Sequence, residues 1–152
     1  MFNIKYIKGD ATLPQGEGIK IICHICNNVG AWGAGFVMAL SKKWHEPETY
    51  YRSMIEYKLG DVEFVSVEKE IFVANMIAQN DIQSNLSEDA KPPIRYYAVA
   101  EALYKANEFA KEHNGSLHMP RIGCGLAGGD WNKIEDMLRR ITTVPVTIYD
   151  LP

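Results

Sequence analysis

The chain has 152 residues, 47% of them apolar and 23% charged, with a formal net charge of −3 and a pI near 5.8. That balance suits one domain over residues 1–152 with a full core, and argues against disorder. No apolar run approaches the roughly 18 residues of a membrane span. The acidic balance offers no general attraction to nucleic acid or anionic membrane. Three cysteines make no disulfide framework. Met1-Phe2-Asn3-Ile4-Lys5-Tyr6 lacks a basic segment leading into an apolar stretch, so a cytoplasmic protein without a secretory signal is expected.

Strands and helices alternate along the chain. Residues 3–8 alternate as a strand that Gly9-Asp10 stops, and residues 19–26 form a nearly continuous apolar, β-branched run, the pattern of a central strand covered on both faces. Gly30-Ala31-Trp32-Gly33-Ala34-Gly35 then leads into a helix through about Trp44. Pro47 suits the first turn of a second helix, whose stripe would be Tyr50, Met54 and Tyr57. Strands over 61–67 and 71–77, separated by Glu68-Lys69-Glu70, predict a hairpin and a partly antiparallel sheet. Residues 79–93 are polar and hold two prolines, as a long binding loop or lid would. Tyr96, Val99, Leu103, Ala106 and Ala110 then step by three and four along a helix. A short strand over 116–119 runs into Gly123-Cys124-Gly125-Leu126-Ala127-Gly128-Gly129. This second loop opens a helix with the stripe Trp131, Ile134, Leu138 and Ile141, and a strand over 144–151 closes the chain. The fold class is α/β, with helices on both faces of a mixed sheet. The pairs Lys42-Lys43 and Arg139-Arg140 read as solvated helix faces.

Chemistry concentrates in the two strand–glycine loop–helix units. Each would put backbone N–H groups beside a helix N-terminus, where unpaired donors and the macrodipole favour anions. Both follow a strand, at the edge of an open α/β sheet where ligands bind, so a diphosphate clamped between them is expected. Neither loop has the dinucleotide spacing, and no phosphate-loop lysine is present. Asp10 reads either as a turn cap or as an acceptor for an exocyclic amine. Cys23 and Cys26 fall on opposite strand faces and cannot share a metal ion. His24, on the face of Cys26, is either a satisfied core histidine or an acid, base or orienting group at the crevice. Asn27 and Asn28 either offer amides to ligand hydroxyls or bond the turn. Cys124 reads as a loop-packing residue rather than a nucleophile, and Asp130 as the N-cap of its helix.

Four segments in this order resemble a macrodomain, the ADP-ribose-binding module, over nearly the whole chain. They are Lys8-Gly9-Asp10-Ala11, the run His24-Ile25-Cys26-Asn27-Asn28-Val29-Gly30-Ala31-Trp32-Gly33-Ala34-Gly35-Phe36, the run Met119-Pro120-Arg121-Ile122-Gly123-Cys124-Gly125-Leu126-Ala127-Gly128-Gly129-Asp130-Trp131, and Thr147-Ile148-Tyr149-Asp150-Leu151. The resemblance implies a three-layer α/β/α sandwich with ADP-ribose across its top and no metal or cofactor. It also implies that Asp10 accepts from the adenine amine while Ala11 offers a backbone N–H. Gly33, Ala34, Gly35 and Phe36 would cradle the diphosphate and distal ribose with Gly123, Cys124, Gly125, Leu126, Ala127 and Gly128. Asn27 would contact the distal ribose, and Tyr149 would line the adenine pocket.

The histidine-led run is similar to the family's ADP-ribose 1″-phosphate phosphatases, in which this histidine is implicated in activity. Glycohydrolase members use a lysine just after the strand matching 71–77, where this chain reads Asn75-Met76-Ile77-Ala78-Gln79. One type carries an aspartate directly after Gly-Cys-Gly-Leu, where this chain has Ala127. The expectation is a domain that binds ADP-ribose or a derivative, free or attached to a macromolecule, with hydrolysis of ADP-ribose 1″-phosphate at His24. The alternatives are a reader without turnover and a hydrolase that removes ADP-ribose by a lysine-independent route. Neither a membrane nor a direct nucleic-acid partner is expected.

Overall fold

A computed structural model describes residues 4–82, 85–86 and 91–152 of the chain. Six strands form one sheet in the order β1-β6-β5-β2-β4-β3. They are β1 (Ile4–Lys8), β2 (Lys20–Asn27), β3 (Val62–Glu68), β4 (Ile71–Gln79), β5 (Ser116–Met119) and β6 (Val146–Asp150). Every pairing is parallel except β3 with β4, whose hairpin makes the sheet mixed as the sequence predicts. The apolar run of β2 takes the interior position between β5 and β4 and is buried at all but Ile25. Its side chains divide by parity. Ile21 and Cys23 pack under α3 (Tyr96–Glu112) and α4 (Trp131–Ile141), whereas Ile22 and Cys26 pack under α1 (Phe36–Lys43) and α2 (Glu46–Arg52).

The helices follow the three-and-four spacing. In α3, Val99, Leu103, Ala106 and Ala110 are buried, and in α4 Ile134 and Leu138 are fully enclosed. The basic pairs occupy the last turns of α1 and α4, where they complement the helix dipole. All four are exposed, as expected of solvated faces, and Lys43 Nζ also donates to the Thr12 carbonyl at 2.7 Å.

The second helix departs from expectation. α2 ends at Arg52, leaving Met54 and Tyr57 beyond it and Tyr50 half exposed; the buried residues are Pro47 and Tyr51. A helix of two turns places only one aromatic position against the sheet, and once the chain leaves the helix the spacing no longer selects a face.

No helix fills the crossover from β1 to β2. Residues 10–18 cover the α1–α2 side of β5 and β6 instead, and the sheet there is polar. The Tyr149 hydroxyl accepts from the Gln15 amide at 2.8 Å and lies 2.7 Å from His118 Nδ1, while His118 Nε2 lies 2.7 Å from Ser116 Oγ. Buried Lys20 donates to the Gly16 and Gly18 carbonyls. A covering loop has backbone groups to satisfy, which an apolar face could not do. Among the described residues no helix is long and apolar enough to cross a membrane.

Leu138 is wholly enclosed beneath the sheet, so Leu138→Ala should destabilise the fold by roughly 2–5 kcal/mol. Leu151→Ala, at an exposed position, should fall within about 0.5 kcal/mol of the parent. Urea unfolding of the two variants measures the difference.

Candidate functional site

The parallel strands β2, β4 and β5 point their carboxyl ends at a crevice of about 530 Å³. The first glycine loop and the start of α1 (Ala31 to Val37) form one wall. Residues 120–123 and 125–127 form the other, and His24, Cys26 and Asn27 contribute the floor. Leu126 reaches across, its Cδ1 3.4 Å from where a Cβ on Gly35 would stand.

α1 starts behind Gly35, whose φ of +82° is one that L side chains rarely adopt. No side chain caps this helix and its first turn holds no acid, so its leading amides face the crevice uncompensated. A Cβ on Gly33 or Gly125 would meet no atom within 4 Å, so both glycines present bare backbone to open space. Arg121 is the one residue with a formal charge among the described lining residues, and none is acidic. Its guanidinium is held by Asp150 at 2.8 and 3.0 Å and lies over the rings of Tyr6 and Trp131.

The two loops are not twins, contrary to expectation. The carboxylate of Asp130 caps α4, accepting from the Asn132 amide at 2.9 Å, so this helix end is already satisfied. Within the second loop, Gly128 and Gly129 donate back to the carbonyls of Gly125 and Gly123. Cys124 packs on the core with Sγ 3.4 Å from the Ile122 carbonyl, and burial raises its thiol pKa despite Arg121. A thiol so placed has no thiolate character. Gly128 lies against Pro92, and neither Gly128 nor Cys124 lines the crevice.

His24 is 2% exposed and lies on the crevice floor, edge-on to Trp32. Its Nε2 is 2.6 Å from Asn75 Oδ1, and the Asn75 amide nitrogen donates to the Pro47 carbonyl at 3.0 Å. That orientation makes Oδ1 the acceptor, so Nε2 carries the proton and Nδ1 has the lone pair. Burial lowers the His24 pKa to about 4, the Asn75 bond opposing it, so the ring is neutral at pH 7. Burial raises the Cys26 thiol well above its usual range, with Glu63 adding to the effect.

Asp10, Ala11 and Tyr149 stand outside this crevice, at the carboxyl ends of β1 and β6. The bonds to Asp10 fall on Oδ1, which accepts from the amide and hydroxyl of Thr12, each at 2.8 Å. Arg121 joins the two regions, since it lines the crevice and clasps Asp150 beside β1. Of the 79–93 segment, Gln79 and Ile82 line the crevice, and Asn80 donates to the Pro93 carbonyl across its neck. Residues 83–84 and 87–90 of that expected loop lie outside the described residues.

Sequence reasoning missed Arg121, Gln79 and Val37 as lining residues and Asn75 as the partner of His24. The first three were within reach, because each sits at a strand's carboxyl end or a helix start. Asn75 carried no signal, because strand pairing β2–β4 alone brings it beside His24.

No family model matches the chain. It is 51% identical to a solved structure of a protein of unknown function from Bacteroides thetaiotaomicron, covering 97% of this chain and 98% of that one with a TM-score of 0.92. A macrodomain protein from Streptomyces coelicolor is 41% identical, with 98% and 99% covered and a TM-score of 0.84. The fold also resembles that of Thermosipho africanus DarTG in complex with ADP-ribose, at a TM-score of 0.72 and 17% identity, over 100% of this chain and 42% of that one. Among curated relatives, the mouse chromodomain-helicase-DNA-binding protein 1-like is 31% identical over 99% of this chain, which spans only 18% of that protein's length. An ADP-ribose 1″-phosphate phosphatase from Candida albicans is 23% identical, with 96% of this chain and 98% of the relative covered.

His24 and His118 are both buried neutral with pKa values lowered to about 4, His118 by burial and then by Lys20 and Lys5. A lowered folded-state pKa means that the unfolded chain binds the extra protons. Their contribution is therefore complete above the unfolded value near 6.5 and lost as pH falls towards 4. Urea midpoints should decline from about pH 6.5 downwards, and His118→Gln should make that decline shallower; equal slopes would contradict the assignment.

Proposed function

Since the chain belongs to the macrodomain family, we propose that its crevice binds ADP-ribose or a close derivative, free or attached to a macromolecule. The observation that carries this reading is the bare amino end of α1, opening onto a crevice whose described lining residues include no carboxylate. A diphosphate there is held by the amides of residues 33–37 from one side and of residues 125–127 from the other. Their dipoles act at short range in a protein of net charge −3. Gly33 and Gly125 allow the phosphate oxygens to approach the main chain. The adenine lies towards Asp10, whose Oδ2 accepts from the exocyclic amine while Thr12 holds Oδ1, and Tyr149 backs that end.

A second reading, hydrolysis of ADP-ribose 1″-phosphate, is favoured by the place of His24 on the crevice floor and by relatives that carry the phosphatase name. Neutral His24, fixed by Asn75, orients or deprotonates a water through Nδ1, and amides of the glycine loops stabilise the charge that develops on the phosphoryl oxygens. Phosphate release from ADP-ribose 1″-phosphate, lost in His24→Gln at an unchanged melting temperature, is the expected result for an enzyme. Equal release from both proteins removes His24 from the chemistry, and no release from the parent leaves a reader.

Calorimetry with ADP-ribose tests the binding. Asp10→Ala should weaken it by about 1–3 kcal/mol, the scale of a lost charged hydrogen bond. A Cβ at residue 33 meets no atom within 4 Å and its φ is not positive, so the melting temperature of Gly33→Val should stay close to the parent's while affinity drops about tenfold or more, that is 1.4 kcal/mol or above. Parent-like affinity in Gly33→Val would place the diphosphate elsewhere.

A further inference from the structure

Asn27 stands on the crevice floor, yet its side chain is turned back into the protein. Its Oδ1 accepts from the amides of Val29 at 3.1 Å and Ala31 at 3.0 Å and from the Tyr51 hydroxyl at 2.8 Å. Its Nδ2 donates to the Ala31 carbonyl at 2.7 Å. A carboxamide oxygen has two lone pairs and the nitrogen two hydrogens. The oxygen therefore has no room for a ligand hydroxyl, and at most one N–H remains. Residues 27–31 are wound around this side chain as a template, and Gly30 sits within it at φ +76° against the Tyr57 ring.

Something must in turn fix Asn27. The hydroxyl of Tyr51 lies 2.6 Å from the Asn27 carbonyl oxygen as well as 2.8 Å from Oδ1, so one proton is shared between the main chain and the side chain of the same residue. Tyr51 has no exposed surface, and its ring is held between those of Trp32 at 5.3 Å and Tyr57 at 4.8 Å. Burial raises its pKa, so the hydroxyl keeps its proton for this bond. The rest of α2 supports the same loop from outside, where Glu48 holds Ser41, which accepts from the Trp32 indole N–H.

We propose that Tyr51 is a positioning residue for the ligand site, setting the first glycine loop through Asn27 and with it the cradle for the diphosphate and distal ribose. Tyr51 touches no ligand. It acts by holding the loop in its binding shape before the ligand arrives, so that ordering the loop does not count against affinity. This inference rests on the ADP-ribose reading of the crevice and adds to it the device that preforms the site.

The test is Tyr51→Phe, which keeps the ring and removes the shared proton, measured by calorimetry with two probes. ADP-ribose occupies the whole site and AMP only its adenosine end. ADP-ribose affinity should fall about tenfold, the equivalent of one buried hydrogen bond, while AMP affinity stays within about twofold. Equal losses for both probes, or no loss for either, would overturn the proposal. Amide hydrogen exchange without ligand gives an independent readout. Faster exchange at Val29 and Ala31, with α3 unchanged, supports the role of Tyr51, and parent-like exchange at both amides overturns it. Should the parent protein bind no ADP-ribose, the ligand reading falls, and the exchange comparison alone decides whether Tyr51 sets the loop.

Discussion

A helix end left bare at the edge of a sheet is the constraint on which the site depends. The amino end of α1 has no capping side chain and no acid in its first turn. It opens beside strands whose carboxyl ends already define the ligand edge of an α/β fold. Unpaired amides of this kind carry a cost in an isolated helix, and a cap would remove it. Here that cost is retained, and the open faces of Gly33 and Gly125 keep the approach clear. An acidic protein can in this way hold an anion without a basic patch, because the donors act at contact distance while net charge acts over a Debye length.

The second helix end shows the contrast. Asp130 caps α4, and its carboxylate would repel a phosphate at that position. In the proposed binding mode the second loop therefore contributes its shape and the amides of residues 125–127 rather than a helix dipole. On that reading the two walls divide the work: α1 supplies directed charge, and the loop after β5 bounds the crevice opposite it, with Leu126 Cδ1 3.4 Å from where a Cβ on Gly35 would stand. The histidine beneath them is neutral because it is buried, which suits a group that orients or accepts a proton more than one that attracts an anion.

Much of this was legible in the sequence, and the limits follow a physical line. The run of β2 and the stripes of α3 and α4 are local patterns enforced by burial on both faces of the sheet, so periodicity recovers them. The glycine loops were legible because open backbone at a helix start leaves glycine in the sequence. The stripe assigned to α2 failed because that helix is two turns long and its one enclosed aromatic is Tyr51, a single position from Tyr50. Asn27 lines the crevice, as its place at the end of β2 suggests, but the consumption of its carboxamide depends on a tyrosine 24 positions away. The polar network of His118, Tyr149 and Ser116 also lies across separate strands and shows nothing in local composition.

A crystal structure with ADP-ribose bound tests the central claim most directly. The expected result places the diphosphate between the two loops, with its oxygens within hydrogen-bond distance of backbone nitrogens at 33–37 and 125–127. A nucleotide bound outside the crevice, or one whose phosphates touch only side chains such as Arg121, would contradict it.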